Sequence, residues 1–165
     1  MCTIALISLF VSEFYGKTGS CKRKNEKFYN VSPYIAEFWN TLTNLPFILI
    51  GLYNILYYQL DFNLMVAYLL LIGCGIGSSI HHASHEEWTI VIDWIPILSS
   101  IIFALWSGIV YSMSAMTLVL TIFAFTILLT DHAFTPIPVP WGHCLWHILA
   151  SIAVNSLYSD YYYSL

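Results

Sequence analysis

Charged residues are scarce in this sequence of 165 residues, and cationic side chains are absent from most of it. Only 8% of the residues are charged, whereas 59% are hydrophobic. All five Lys and Arg residues lie within positions 17–27, so no cationic side chain follows. A basic surface that binds nucleic acid is therefore excluded. The ratio of hydrophobic to charged residues is not typical of a water-soluble domain and indicates a multi-span membrane protein.

The sequence predicts neither paired cysteines nor a secretory signal peptide. The first ten residues are apolar, but they have no basic start and no small-residue cleavage site, so we interpret them as an interfacial segment. The cysteines show no repeated spacing, so we predict neither a disulfide framework nor a CxxC metal-binding motif. They are Cys2, Cys21, Cys74 and Cys144.

Long apolar runs follow the polar N-terminal part of the chain. Lipid offers the backbone no hydrogen-bond partners, so apolar runs of this length are expected to form membrane-spanning helices. We predict an all-α fold, a polytopic transmembrane helical bundle of about five spans. Residues 1–42 are predicted to be a polar or interfacial segment, and residues 43–165 a single transmembrane domain. The runs are 43–60, 64–84, 90–113, 115–130 and 141–158.

Polar and ionisable side chains interrupt these apolar runs at a few positions. Ser78 and His82 are four residues apart at the end of the second run, and Asp93 lies near the start of the third. His143 and His147 are also four apart, at the start of the fifth run. The order of the spans brings all five to the same membrane level. Each intramembrane ionisable group costs roughly 2.5 to 3.5 kcal/mol, so the cluster predicts a functional site.

Three histidines with one open position and a carboxylate nearby are typical of a catalytic zinc site. The remaining histidines and acids have simpler interpretations. His81, His85 and His132 are interpreted as structural, and Glu86 and Glu87 as a solvated turn. A haem-binding cytochrome with axial histidines from two helices is an alternative, but it leaves the carboxylate of the third run unexplained.

Four separated segments carry a family resemblance. They are PYIAEFWNTLTNLPFIL at residues 33–49, then GIGSSIHH, IDWIPIL and HCLWHILASIAVNSLY. In this order they resemble the lead into the first transmembrane helix and the second, third and last helices of the alkaline ceramidases. That family is part of a membrane hydrolase superfamily that includes the progestin and adiponectin receptors.

The resemblance implies a reaction and a role for each residue. His82, His143 and His147 match the zinc ligands, with Asp93 and Ser78 beside the metal. Asp93 would take a proton from the attacking water and deliver it to the departing amine. Ser78 would orient the water or donate to the oxyanion. The implied activity is hydrolysis of ceramide, or a related sphingolipid, to a sphingoid base and a free fatty acid in the endoplasmic reticulum or Golgi membrane.

The sequence departs from the family pattern in three respects, one of which is that Trp94 stands where an acidic residue often follows the aspartate. The family's acidic calcium motif is replaced by RKNEKFY at residues 23–29, which argues against a calcium site. Family members usually have seven spans and we predict five, so we expect a shortened member. The alternative function is therefore that of a receptor-like or catalytically inactive relative that retains the metal site. The cationic N-terminal part favours a cytosolic N-terminal side, whereas the resemblance implies a lumenal one.

Overall fold

The chain is all-α in the part that the structure describes. A computed structural model describes residues 31–84, 86–133 and 142–165. These ranges form six α-helices and one 3-10 turn, with no strand among them, so the predicted fold class is confirmed. In chain order they are α1 (Phe38–Leu42), α2 (Leu45–Tyr57), α3 (Phe62–Ser84), α4 (Thr89–Trp106), the 3-10 turn (Ile109–Ser112), α5 (Ala115–Ala133) and α6 (Gly142–Ser164).

The five predicted runs correspond one to one to helices α2 to α6. By length and composition, α3 and α4 could each cross a membrane, and α5 contains the shorter apolar stretch Ala115–Leu129. Helix α2 has 13 residues, which makes it about 20 Å long. Helix α6 continues through Ser164, past the predicted end at residue 158.

The predicted third run is too long at its C-terminal end. It was expected to reach residue 113, but α4 ends at Trp106. Gly108 follows with φ of 81°, the left-handed conformation that terminates helices and that glycine adopts without a steric penalty. The chain then forms the 3-10 turn before α5 begins.

The domain boundary predicted at residue 43 stays a prediction, although α1, which precedes it, contacts α3 and α6.

Other predictions concern residues outside the described ranges. The predictions outside the described part are the interfacial segment 1–10, the calcium-motif counterpart 23–29, Cys2, Cys21 and the structural role of His85. The side chain of His132 also falls outside the description.

Helix α3 is central in the bundle and contacts α1, α2, α4 and α6. Its N-terminal half packs against the C-terminal half of α6 in an apolar core, where Leu64 and Leu71 are buried. Tyr68 meets Tyr158 edge to face, with ring centroids 5.1 Å apart. Helices α3 and α6 therefore run antiparallel, and the end of α3 lies beside the start of α6.

Glycines let α3 approach α4 closely near the end of α3. A Cβ added at Gly77 would lie 2.4 Å from the carbonyl oxygen of Ile92 and 3.4 Å from the Cα of Asp93. One turn earlier, a Cβ at Gly73 would meet only the Pro96 side chain, at 3.5 Å. The backbone contact at Gly77 therefore sets how closely Asp93 can approach α3.

We predict that Gly77→Ala destabilises the bundle, because the methyl group would overlap backbone that cannot rotate away. Overpacking of this kind costs about 1 to 3 kcal/mol. The measurement is the thermal unfolding midpoint in detergent. Gly73→Ala is the matched control and should equal or exceed wild type, since alanine is the better helix former. Equal losses in the two variants would contradict the close approach.

The start of α5 is held by polar contacts with α6. Ser114 accepts a hydrogen bond from the backbone N–H of Thr117, and the Ser114 backbone N–H donates to the Asp160 carboxylate at 2.9 Å. The Thr117 hydroxyl also donates to that carboxylate, at 2.5 Å. Burial raises the pKa of Asp160, but these hydrogen bonds outweigh it and hold the pKa below its ordinary value. Asp160 lies beyond the predicted span 141–158.

The lowered pKa of Asp160 predicts a loss of stability in acid. The carboxylate contributes stability above its unfolded-state pKa of 3.8, and this contribution disappears as the pH falls through the lower folded-state pKa. We expect Asp160→Asn to be less stable than wild type near neutral pH and to lose less stability between about pH 5 and pH 2. Unfolding midpoints in detergent over this range test the prediction. Parallel curves for the two proteins would contradict it.

Candidate metal centre

Three histidines converge where α3 ends and α6 begins. His82 lies in the last turn of α3, and His143 and His147 occupy successive turns at the start of α6. One ring nitrogen from each lies within 4.8 Å of the others. His82 and His147 are buried, with 6% and 3% of their surface exposed, and His143 is half-buried. The antiparallel packing of α3 and α6 thus brings together side chains that are more than sixty positions apart.

The spacing of the nitrogens fits a single metal ion. The Nε2 atoms of His82 and His143 are 3.2 Å apart. Two nitrogens bound to a tetrahedral zinc at about 2.0 Å would be roughly 3.3 Å apart. The His147 ring lies at a similar distance from both others, with centroid separations of 5.1 Å and 4.6 Å. Three imidazoles on two helices are a usual zinc ligand set, so these residues fit that ion.

The segment that leads into α1 packs against the end of α3. The backbone N–H groups of Ala36 and Glu37 donate to the carbonyls of Ala83 and His82, at 2.8 and 3.0 Å. These carbonyls belong to the last turn of α3, where a helix has no internal donors left. The Glu37 side chain is buried at the same place, and its Oε2 lies 2.5 Å from Nδ1 of His82. The segment therefore satisfies the end of α3 and contacts the first histidine.

Helix α1 also contacts the third histidine and supports Glu37. The Thr43 hydroxyl, at the end of α1, lies 3.0 Å from Nδ1 of His147. The Asn40 amide donates to Oε2 of Glu37 at 3.1 Å, and its oxygen accepts from the Cys144 thiol at 2.9 Å. Asn40 is almost completely buried. A connected set of polar side chains thus surrounds the histidines on the α1 side.

Asp93 and Ser78, the two predicted catalytic residues, are buried on the adjacent helices α4 and α3. Ser78 is one turn before His82 on α3, and Asp93 is in the second turn of α4. The close approach at Gly77 brings the backbone of Asp93 against α3 directly next to Ser78. Asp93 is not a member of the histidine group defined by mutual distances.

His81 makes a hydrogen-bond contact that is separate from the group of three histidines. Its Nδ1 lies 2.9 Å from the Thr89 hydroxyl, and that hydroxyl donates to the carbonyl of Glu86. This contact ties α3 to the start of α4 across the connecting turn. His81 is as deeply buried as His82 but lies outside the histidine group. Glu86 and Glu87 are exposed in the turn.

Thr43 had no role in the sequence-based predictions, and Glu37 and Asn40 entered them only as part of the family resemblance. A signal for Glu37 was present, because a single carboxylate within the apolar stretch PYIAEFWNTLTNLPF needs a buried partner. Thr43 carries no such signal. A hydroxyl in a short helix usually bonds to a carbonyl four residues earlier, and this one does so as well.

Comparison with known proteins gives a consistent result. A family model described as Ceramidase matches residues 25–137, more than half of the chain. The matched range includes Glu37, Ser78, His82 and Asp93 and ends before His143. No solved structure matches.

Two curated proteins are similar over part of this chain. Alkaline ceramidase YPC1 of Saccharomyces cerevisiae is 36% identical over 98 residues, which is 56% of this chain and 30% of the yeast protein. An alkaline ceramidase of Arabidopsis thaliana is 35% identical over 80 residues, which is 47% of this chain and 31% of the plant protein. The similarity thus spans less than a third of the length of either relative.

Proposed function

The chain belongs to the ceramidase family, and from that premise we propose that it is a zinc-dependent membrane amidase that hydrolyses ceramide to a sphingoid base and a free fatty acid. The observation that carries this proposal is the convergence of His82, His143 and His147, with ring nitrogens within 4.8 Å of one another. The names of the yeast and plant relatives support ceramide as the substrate class.

Zinc is the ion that this ligand set favours. Neutral imidazoles bind zinc readily, and three of them leave one position open for water or substrate. A haem ring would have to lie between its two axial nitrogens. The separation of 3.2 Å between His82 and His143 leaves no space for it. When bound, zinc would polarise the amide carbonyl and lower the pKa of water.

Asp93 and Ser78 supply the remaining chemistry in this proposal. Asp93 accepts a proton as a water oxygen attacks the amide carbon, and returns that proton to the nitrogen as the C–N bond breaks. The products are then a carboxylic acid and a free amine, and the carboxylate is regenerated. Ser78 donates a hydrogen bond to the developing oxyanion or orients the water. Burial of both side chains supports these roles, because exclusion of water strengthens each electrostatic contact.

A lipid substrate requires access from an apolar phase, and the outer faces of the helices are suited to it. Large apolar side chains are exposed on α2, α3, α4 and α5, among them Leu49, Leu69, Ile102 and Phe123. We place the chain as a multi-pass protein in the endoplasmic reticulum or Golgi membrane, the location that the family resemblance implies. Calcium is not part of the proposal, since the acidic motif is replaced by RKNEKFY.

The proposal predicts about one zinc ion per purified chain and release of fatty acid from ceramide. His82→Ala and His147→Ala should lose both zinc and activity, because each removes a ligand. Asp93→Asn should keep zinc and lose activity by about 10²-fold or more, since the proton acceptor is gone. Elemental analysis of detergent-purified protein and fatty-acid release from short-chain and long-chain ceramides measure these outcomes.

His81→Gln is the matched control, because it alters a neighbouring buried histidine that lies outside the group. It should retain both zinc and activity. Histidine variants that equal wild type would overturn the ligand assignment. Bound zinc without hydrolysis of any ceramide would overturn the amidase proposal and support a receptor-like or inactive relative that retains the metal site. A Soret band in place of zinc would support the cytochrome.

A further inference from the structure

Two histidines of the centre are held from behind by side chains of one short segment, Glu37 to Thr43. Oε2 of Glu37 lies 2.5 Å from Nδ1 of His82, and Oγ1 of Thr43 lies 3.0 Å from Nδ1 of His147. In both rings the contacted nitrogen is Nδ1, so the other nitrogen is left for an ion. The two contacts come from opposite ends of α1.

We propose that Glu37 and Thr43 are positioning residues that fix His82 and His147 as Nδ1–H tautomers, with the Nε2 lone pairs directed at one ion. The inference rests on the proposed zinc site and adds the residues that prepare it. Partners of this type orient a ligand ring and make it a stronger base.

The hydrogen bonds of Thr43 determine the tautomer of His147. A threonine hydroxyl has one proton to donate. The Thr43 hydroxyl lies 2.9 Å from the carbonyl of Trp39 and 3.1 Å from that of Asn40, both of which can only accept. With its proton donated within α1, its oxygen accepts from His147. In this arrangement the ring carries the proton on Nδ1, and Nε2 presents a lone pair.

The hydrogen bonds of Glu37 determine the tautomer of His82. An ionised carboxylate only accepts, so Nδ1 of His82 must donate to it. Asn40 donates to the same oxygen at 3.1 Å. The orientation of that amide is fixed in turn, because its own oxygen accepts from the Cys144 thiol. Oε2 of Glu37 therefore lies within hydrogen-bond distance of both His82 and Asn40.

Backbone hydrogen bonds hold the segment that carries Glu37 against α3, so these contacts do not depend on side-chain conformation alone. The N–H groups of Ala36 and Glu37 bond to carbonyls in the last turn of α3, where His82 itself lies. Glu37 is 6% exposed and Asn40 is 2% exposed. A rotation of α1 relative to α3 would break backbone and side-chain bonds together. The two Nδ1 partners are therefore preorganised before an ion arrives.

The first test measures tautomers in the metal-free protein. Nitrogen-15 NMR of histidine rings distinguishes Nδ1–H from Nε2–H. We expect His82 and His147 of chelator-treated wild type to be Nδ1–H. Thr43→Val should move His147 alone toward Nε2–H, and Glu37→Leu should do the same for His82, because each variant removes the acceptor at Nδ1. Predominant Nε2–H at either ring in wild type would overturn the inference.

The second test measures zinc affinity by competition with a chelator. Loss of an outer partner of this kind weakens metal binding about 10-fold to 100-fold, and we expect this for both Thr43→Val and Glu37→Leu. Thr41→Val is the matched control, since Thr41 makes the same type of bond to a helix carbonyl and should bind zinc like wild type. Thr43→Ser keeps the hydroxyl and should restore affinity.

The outcomes separate this inference from the proposed function. If Thr43→Val and Thr41→Val bind zinc equally and show the same ring tautomers, the positioning roles are wrong even though the zinc site stands. If wild type binds no zinc, the proposed function fails, while the tautomers of the metal-free protein still decide the roles of Glu37 and Thr43. A defect shared by Thr43→Val and Thr43→Ser would assign Thr43 to packing and overturn its role.

Discussion

The buried contact between Glu37 and His82 is the interaction on which this end of the bundle depends. A carboxylate without a partner in an apolar interior would be unstable by several kcal/mol. Glu37 avoids this by accepting from His82 and Asn40, while its backbone N–H donates to the carbonyl of His82 in the last turn of α3. The position of α1, the rotamer of His82 and the end of α3 are consequently not independent. A change in any one of them leaves a buried polar group unsatisfied.

The positions of the helices could be predicted from the sequence, because each of the helices α2 to α6 corresponds to one continuous apolar run. Helix ends were less accurate. Gly108 ends α4 before the apolar run is finished, and α6 continues past the predicted end at residue 158, where Asp160 contacts the start of α5. In both places the decisive feature is backbone conformation or a contact between helices, which hydropathy does not contain.

The convergence of the histidines was predictable from the order of the spans, since alternating helices return to the same level. The outer contacts were not. Glu37 and His82 are 45 positions apart, and Thr43 and His147 are 104 apart. Both contacts depend on how a helix of five residues rests on the bundle. No periodicity in the sequence describes that docking, because α1 is too short to have a pattern of its own.

The polar end and the apolar core of the bundle are stabilised by different interactions. Around Tyr68 and Tyr158 the helices are held by packing that needs no charge balance. Around Glu37 a carboxyl group is buried against the His82 ring, where it needs hydrogen-bond partners. A divalent cation bound at His82, His143 and His147 would place positive charge across the ring from Glu37. The carboxylate would then stabilise the ion through His82, and the ion would stabilise the buried carboxylate, so that metal affinity and the stability of this end of the fold are coupled.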